Sequence, residues 1–147
     1  MKKLVENKKV KFDYNILETY SAGIVLFGHE VKAIRNNQMS LKGAYVSIHN
    51  GELWLKKATV SLYKKSGPIP NYDPERERKL LLTKKEIASL AGKLKQKGLT
   101  LVPLSVYTKN NRLKVEIGLA QGKKKYDKRE SIKKRENDRN LRKKLSY

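Results

Sequence analysis

The fold is decided by residues 44–55, AYVSIHNGELWL. Apolar and polar side chains alternate on both sides of Asn50-Gly51, two residues that tolerate the positive φ of a type I′ turn. The register that such a turn sets brings alternate residues of the two halves together on one face. The apolar pairs expected on that face are Val46 with Leu55 and Ile48 with Leu53. The stretch therefore predicts an antiparallel β-hairpin whose apolar face belongs to the core.

Two further regions extend this hairpin into a sheet. Residues 99–107 and the alternating apolar side chains of residues 113–119 predict a second hairpin that turns through residues 109–111. Pro103 should lie at a sheet edge or a bulge, because it has no N–H to donate. Residues 14–26 are rich in Ile, Tyr, Thr and Val, and Ala22-Gly23 marks a point where a sheet can bend. At least five strands are expected.

Helical segments are predicted between and before the hairpins. Residues 83–86, TKKE, form a capping box, apolar residues follow at helical spacing, and Gly98 is placed to end the helix in a left-handed conformation. A short helical turn is expected to begin at Asp73-Pro74, after a flexible loop at residues 66–72. Residues 28–35 predict another short helix. Three of its side chains are expected to remain accessible: Glu30, Lys32 and Arg35.

The chain is basic along its whole length. Its net charge is +21; residues 121–147 hold twelve Lys and Arg against four Asp and Glu, a net +8, which leaves +13 for residues 1–120. Residues 121–147 have too few apolar side chains to offset their ordering entropy, so we expect a basic tail that is disordered when free. Residues 1–120 suit one domain. Such a charge favours a nucleic acid partner; a non-specific solubility tail is the alternative for the last segment.

The composition also argues against several classes of site. The chain has no cysteine and two histidines, which excludes disulfides and thiolate catalysis and makes a metal site improbable, and no cofactor is expected. No apolar run reaches the ~18 to 20 residues of a membrane-spanning helix, and the N-terminus lacks an apolar signal segment. These features favour a cytoplasmic protein with no membrane partner.

Many short strands, a capped helix and a basic surface favour a mainly β (α+β) fold. We predict an antiparallel barrel of the oligonucleotide-binding type with peripheral helices. No arrangement of nucleophile, acid and base is recognisable, so we expect no enzyme; Glu30 is expected to accept hydrogen bonds from a neighbouring Lys or Arg. Aromatic residues on the predicted strands either stack on RNA bases or pack within the sheet. They are Tyr14, Tyr20, Tyr45, Trp54, Tyr63 and Tyr107.

Several motifs closely resemble those of the SmpB family of bacterial tmRNA-binding proteins. They lie, in order, at residues 22–24 (AGI), 28–32 (GHEVK), 35 (R), 76–82 (RERKLLL), 97–104 (KGLTLVPL), 122–124 (GKK) and 127–129 (DKR). The resemblance implies an oligonucleotide-binding barrel that binds the tRNA-like domain of tmRNA. It also implies that the protein and tmRNA together enter ribosomes stalled on messages without a stop codon. There the tail enters the empty message channel and becomes helical. Elongation factor EF-Tu with alanyl-tmRNA, and the small-subunit rRNA at the decoding centre, are the implied further partners; a monomer is expected.

Residue roles follow from the same resemblance. The positions that match those tied to tmRNA binding are Gly28, Glu30, Val31, Lys32, Arg35, Arg78, Lys79, Leu81 and Lys114. The positions that match the tail residues needed on the ribosome are Gly122, Lys123, Lys124, Tyr126, Asp127, Lys128 and Arg129, with Tyr126 placed to stack on an rRNA base.

The chain departs from the family pattern at three positions. Ser21 stands where the family usually has glutamate, with Glu18 as a candidate to compensate, His29 replaces a common threonine, and Ala33 replaces a common serine. Two other functions remain open from the residues alone, a structural ribosomal protein of the same barrel class and an RNA-processing enzyme.

Overall fold

The computed structural model describes residues 1–123, and these form nine strands and three α-helices. The helices are α1 (Lys8–Asp13), α2 (Gly28–Arg35) and α3 (Lys84–Lys93), and a 3₁₀ turn lies at Lys64–Ser66. The strands are β1 (Lys2–Glu6), β2 (Tyr14–Ile24), β3 (Met39–Ser40), β4 (Tyr45–His49), β5 (Glu52–Lys56), β6 (Thr59–Val60), β7 (Arg78–Leu81), β8 (Leu99–Lys109) and β9 (Arg112–Gly122).

Six of the strands form a closed antiparallel barrel. The order β8-β4-β5-β7-β2-β9 returns to its start because β8 and β9 also pair with each other. Strand β1 pairs with the C-terminal half of β8, and β3 and β6 form a separate two-stranded sheet. The predicted class, a mainly β antiparallel barrel with peripheral helices, is confirmed. The predicted tail lies outside the described residues except for its first three, and β9 runs to Gly122, past residue 120.

The first hairpin has the register that its turn predicts. Val46 lies opposite Leu55 and Ile48 opposite Leu53. Asn50 has φ 53° and Gly51 has φ 73°, the two positive values of a type I′ turn. Val46, Leu53 and Leu55 are buried in the core, so the apolar face is where the alternation puts it.

The second hairpin is also present, but its turn has two residues rather than the three predicted at 109–111, because Lys109 still pairs with Arg112 in the sheet. Asn110 and Asn111 have φ 52° and 62°, and β8 and β9 pair along their whole length. The register shifts between Pro103 and Ser105, so a bulge adjoins the proline, as expected for a residue without an N–H. The free carbonyls at this bulge accept hydrogen bonds from Asn7, through its backbone N–H to Leu104 O at 2.9 Å and its side chain to Pro103 O at 3.0 Å.

Helix α3 begins as predicted and ends earlier. Thr83 Oγ1 accepts from Glu86 N at 3.2 Å, and the Glu86 carboxylate accepts from Thr83 N at 3.2 Å, which completes the capping box. The helix stops at Lys93 rather than near Gly98. Gly98 does adopt a positive φ of 85°, but it does so in the turn that redirects the chain into β8.

The helical turn expected at Asp73-Pro74 is a simple turn. Asp73 caps it as predicted, since its side chain accepts from Glu75 N at 2.9 Å and its carbonyl accepts from Arg76 N at 3.1 Å. The chain then extends into β7, whose first residue, Arg78, is buried. Within residues 1–123, no helix is both long enough and apolar enough to cross a membrane.

Candidate RNA interface

A groove of about 410 Å³ lies where α2, β7 and the turn between β8 and β9 meet. Its apolar lining comes from Ile24, Leu26, Val31, Leu81 and Leu113, and its basic lining from Arg35, Arg112 and Lys114. None of the lining residues is acidic. Four residues predicted from the sequence therefore come together here from three separate parts of the chain: Val31, Arg35, Leu81 and Lys114.

Gly23 makes the floor of this groove possible. It lies opposite Lys114 on β9 and opposite Leu81 on β7, at the point where β2 passes from one partner to the other. A Cβ atom at Gly23 would lie 3.3 Å from the Cβ of Leu81. The glycine lets Leu81 sit against β2 while half of its surface, 50%, stays exposed.

The basic side of the groove continues around the β8–β9 turn. Arg35 Nη2 donates to Asn111 O at 3.0 Å, which ties α2 to that turn. Arg112 and Lys114 also line a neighbouring depression of about 660 Å³ with Lys109 and Ser21. The two concavities form one basic surface with an apolar floor, an arrangement suited to phosphates at the rim and to riboses or bases at the centre.

A buried ion cluster holds the N-terminal half of α2. The Glu30 carboxylate accepts from Arg78 Nε at 2.9 Å, from Arg78 Nη2 at 2.6 Å and from Arg76 Nε at 3.1 Å, and it also contacts Arg76 Nη2. Tyr72 donates its hydroxyl to Val60 O at 2.7 Å and contacts Glu30 at 3.2 Å. Arg78 further donates to Ala58 O at 2.9 Å. The cluster joins α2 to the segment that leads into β7.

The side chains of Glu30 and Arg78 are both fully buried. The sequence-based expectation that Glu30 is accessible is wrong, and its predicted hydrogen bonds from neighbouring basic residues are confirmed. Neither side chain is exposed to a ligand in the described structure, so any effect of these two residues on RNA binding passes through the position of α2 and β7. A carboxylate can be buried here because two guanidinium groups satisfy its oxygens.

The same contacts control the ionisation of Glu30. Burial alone raises the pKa of this carboxyl, but the hydrogen bonds from Arg76, Phe27 N–H and Arg78 outweigh burial and lower the pKa to about 2. Glu30 is therefore an anion at neutral pH. Its Phe27 N–H bond, at 2.9 Å, also caps the first turn of α2.

The remaining predicted RNA-binding residues lie near the groove without lining it. Gly28 and Lys32 are exposed on α2, and a Cβ atom at Gly28 would meet nothing within 4 Å. Lys79 lies two residues before Leu81 on the same face of β7 and pairs with Glu52 at 3.2 Å. Sequence reasoning did not single out Arg112, Leu113 or Leu26, because only the folded barrel brings them to this edge.

The tail residues are described only at their start. Gly122 ends β9, and Lys123 N donates to Asp13 O at 2.9 Å. The other predicted tail residues lie outside the described residues: Lys124, Tyr126, Asp127, Lys128 and Arg129.

The three departures from the family pattern have distinct environments. The Ser21 hydroxyl contacts the Tyr107 hydroxyl, whereas Glu18 pairs with Lys93 at 2.6 Å and does not reach Ser21. Ala33 is buried in the helix–barrel contact. The His29 ring lies 4.7 Å, edge-on, from Tyr72.

The candidate site contains no arrangement suited to a metal ion. Among residues 1–123, no group of three or more His, Asp or Glu side chains is placed to hold one. The basic and apolar side chains of the groove can act on RNA through charge, hydrogen bonds and stacking.

Comparisons with known proteins agree with the motifs. The sequence profile described as SmpB protein matches residues 4–147. The SsrA-binding protein of Thermosynechococcus vestitus is 50% identical over 141 residues, which cover 96% of this chain and 93% of that protein. The SsrA-binding protein of Streptococcus mutans is 53% identical over 142 residues, which cover 97% and 91% of the two chains.

A solved structure shares the fold. It is described as "tmRNA-SmpB: a journey to the center of the bacterial ribosome", and one of its chains matches with a TM-score of 0.68 and 45% identity. The match covers 87% of this chain and 93% of that chain. On the combined evidence of motifs, barrel and whole-length similarity, this chain belongs to the SmpB protein family.

Proposed function

We propose that this protein binds the tRNA-like domain of tmRNA and delivers it to stalled ribosomes for trans-translation. The observation that carries the proposal is the groove beside α2, in which Val31, Arg35, Leu81 and Lys114 converge with no acidic side chain in its lining. Relatives of about 50% identity are SsrA-binding proteins, and the solved relative is a tmRNA–SmpB structure of the ribosome. Charge and chemistry of the surface fit that partner.

The division of labour within the chain is part of the proposal. The barrel domain, residues 1–120, grips tmRNA, while the tail, residues 121–147, probes the empty message channel at the decoding centre. Gly122, Lys123, Lys124, Tyr126, Asp127, Lys128 and Arg129 are the tail residues assigned to this step. A channel already filled with message excludes the tail. The tail can therefore enter only a stalled ribosome whose message channel is empty.

The remaining features of the proposal concern partners and class. The protein acts in the cytoplasm as a monomer, without cofactor or catalysis of its own, and alanyl-tmRNA is carried with EF-Tu. Glu30 and Arg78 act as positioning residues, because their buried pair holds α2 and β7 on either side of the groove.

RNA capture followed by sequencing tests the function directly. The full chain, tagged and expressed at its natural level, should retain tmRNA from cell lysate as its most enriched RNA. A Lys114→Ala variant should retain several-fold less tmRNA, because one phosphate contact in the groove is lost. Equal enrichment of small-subunit rRNA from all ribosomes, with no tmRNA, would identify a structural ribosomal protein instead.

A further inference from the structure

An aromatic and guanidinium stack lies on the flank of α2 away from the groove. The Arg76 guanidinium carbon lies 4.1 Å from the centroid of the Phe27 ring. The ring of His29 lies 5.9 Å from that of Phe27 at an interplanar angle of 27°, and Tyr72 meets His29 edge-on. Four rigid planar groups are thus assembled next to one another at the start of the helix.

The donors of Arg76 are engaged by groups other than the Phe27 ring. Its Nε and Nη2 atoms bind the Glu30 carboxylate, and its Nη1 donates to Glu77 O at 3.2 Å. A guanidinium whose edge is occupied in this way is a poor phosphate ligand, but its face can stack on an aromatic ring. The buried cluster thereby fixes the guanidinium against Phe27.

Phe27 is the exposed member of the stack. It is 55% exposed, the largest exposed fraction of any large apolar side chain in residues 2–123. A phenyl ring held by a cation on a basic surface is suited to a planar partner. Nucleobases are such partners, and stacking of a base on an aromatic ring requires no particular base.

Helix geometry places this ring on the opposite flank of α2 from the groove, within reach of the same RNA. Val31 and Arg35, four residues apart, line the groove on one flank of α2, while His29 packs with Phe27 on the other. The exposed Lys32 lies between the two flanks. Since an α-helix with its side chains is only about 10–12 Å across, one RNA molecule seated on α2 reaches both.

We propose that Phe27, backed by Arg76, is a stacking site for an unpaired nucleobase of the RNA bound at the groove. The proposal rests on the proposed function, since it assigns to the same RNA a second contact of a different kind. The groove supplies charge for phosphates, and the Phe27 ring supplies a face for a base. The sequence around α2 alone did not indicate this site, because Arg76 lies 49 positions after Phe27 in the chain.

Binding of a transcript of the tRNA-like domain of tmRNA to three full-length variants tests this. Phe27→Ala should weaken binding by about 5- to 150-fold, the range for loss of one stacked base. Phe27→Trp should retain or strengthen binding. Phe27→Leu keeps the apolar bulk without an aromatic face, so it should weaken binding as Ala does; wild-type affinity for either variant would overturn the stacking site.

The salt dependence separates stacking from charge. The slope of log K against log salt should be the same for Phe27→Ala and the wild type, whereas Lys114→Ala should lower its magnitude by about 1. A slope changed by Phe27→Ala would overturn the proposal, because the effect would then be electrostatic. Leu17→Ala, which removes another side chain about half exposed at 51%, is the matched control and should bind as the wild type does.

Two failures remain distinguishable in this experiment. If the wild type does not bind the transcript specifically, the proposed function fails. If it binds and Lys114→Ala weakens binding while Phe27→Ala does not, only the stacking site fails. Unchanged thermal unfolding of each variant confirms that the fold is intact, as expected because the Phe27 contact to Glu30 is made by the backbone N–H.

Discussion

At the scale of single residues, Glu30 shows most clearly where sequence reasoning ends. Its role as an acceptor for basic neighbours followed from its chemistry, but its burial did not. Burial requires Arg76 and Arg78, which lie 46 and 48 positions away, and nothing in the local helical period shows that they arrive there. Long-range partners decide whether a carboxylate is buried.

Removal of the Glu30 charge should be strongly destabilising. Glu30→Gln leaves the buried Arg78 guanidinium without its counter-charge, which should lower the free energy of unfolding by about 3–5 kcal/mol. Urea unfolding of residues 1–147 measures this. The matched control is Glu52→Gln, whose partner Lys79 is 40% exposed; that change should cost less than about 1 kcal/mol. Similar losses from both variants would contradict the role assigned to the buried pair.

The low pKa of Glu30 predicts a pH dependence of stability. Its folded-state pKa of about 2 lies below its ordinary value of 4.5, so its contribution is complete above about pH 4.5 and is lost as pH falls towards 2. The contribution should be on the order of 3 kcal/mol. The difference in unfolding free energy between the wild type and Glu30→Gln should therefore shrink on acidification; a constant difference from pH 7 to pH 3 would contradict this assignment.

At the scale of elements, the sequence predicts what local chemistry determines. The Asn50-Gly51 turn, the register of its hairpin and the α3 cap follow from neighbouring residues, as does the existence of the second hairpin. The second turn is one residue shorter than the predicted 109–111, because Lys109 still pairs with Arg112. Closure of the barrel does not follow from neighbouring residues, because β4 meets β8 at the single pair Val46 and Leu101. The end of α3 could not be predicted from the sequence either, since the path of the chain into β8 determines it.

The capping box of α3 can be tested with single substitutions at Thr83. Thr83→Ala removes the acceptor for Glu86 N and should lower the free energy of unfolding by about 1 kcal/mol. Thr83→Ser retains a hydroxyl and should be close to the wild type. Chemical denaturation of both variants provides the comparison, and an equal loss for Ser and Ala would show that the methyl group, rather than the hydrogen bond, matters.

At the scale of the whole molecule, the barrel and the tail are both basic, and the proposed function gives them different roles. Residues 1–120 carry a net charge of +13 and residues 121–147 a net charge of +8. If the tail acts only through its charge, the order of its residues does not matter. The candidate groove, by contrast, depends on shape, because its lining combines apolar and basic side chains from α2, β7 and β9. The family resemblance pointed to Val31, Arg35, Leu81 and Lys114 but not to Arg112 or Leu113, and only the closed barrel shows that these residues share one groove.

Truncation after Lys123 should separate the two activities. The variant keeps all of β9 and the Lys123 bond to Asp13, so tmRNA affinity should stay within a few-fold of the wild type, while tagging on stalled ribosomes should be lost. A second variant with residues 124–147 in scrambled order has the same charge. Tagging by the scrambled chain would show that the tail acts as a non-specific cation, and loss of tmRNA affinity on truncation would place recognition in the tail.

Strand β9 runs from the groove at Lys114 to the tail root at Gly122, and pairing with β2 and β8 on its two edges makes it stiff. Lys114 and Gly122 are eight residues apart, so at about 3.3 Å per residue this stretch of β9 is about 26 Å long. The groove and the start of the tail thus lie at opposite ends of one stiff strand. Because the chain has no cysteine, dyes can be attached at engineered cysteines replacing Thr108 and Gln121, which lie near the two ends of this stretch and line neither concavity of the interface. Their separation should be identical in the free protein and on the ribosome; a shortened distance would mean that the barrel itself yields.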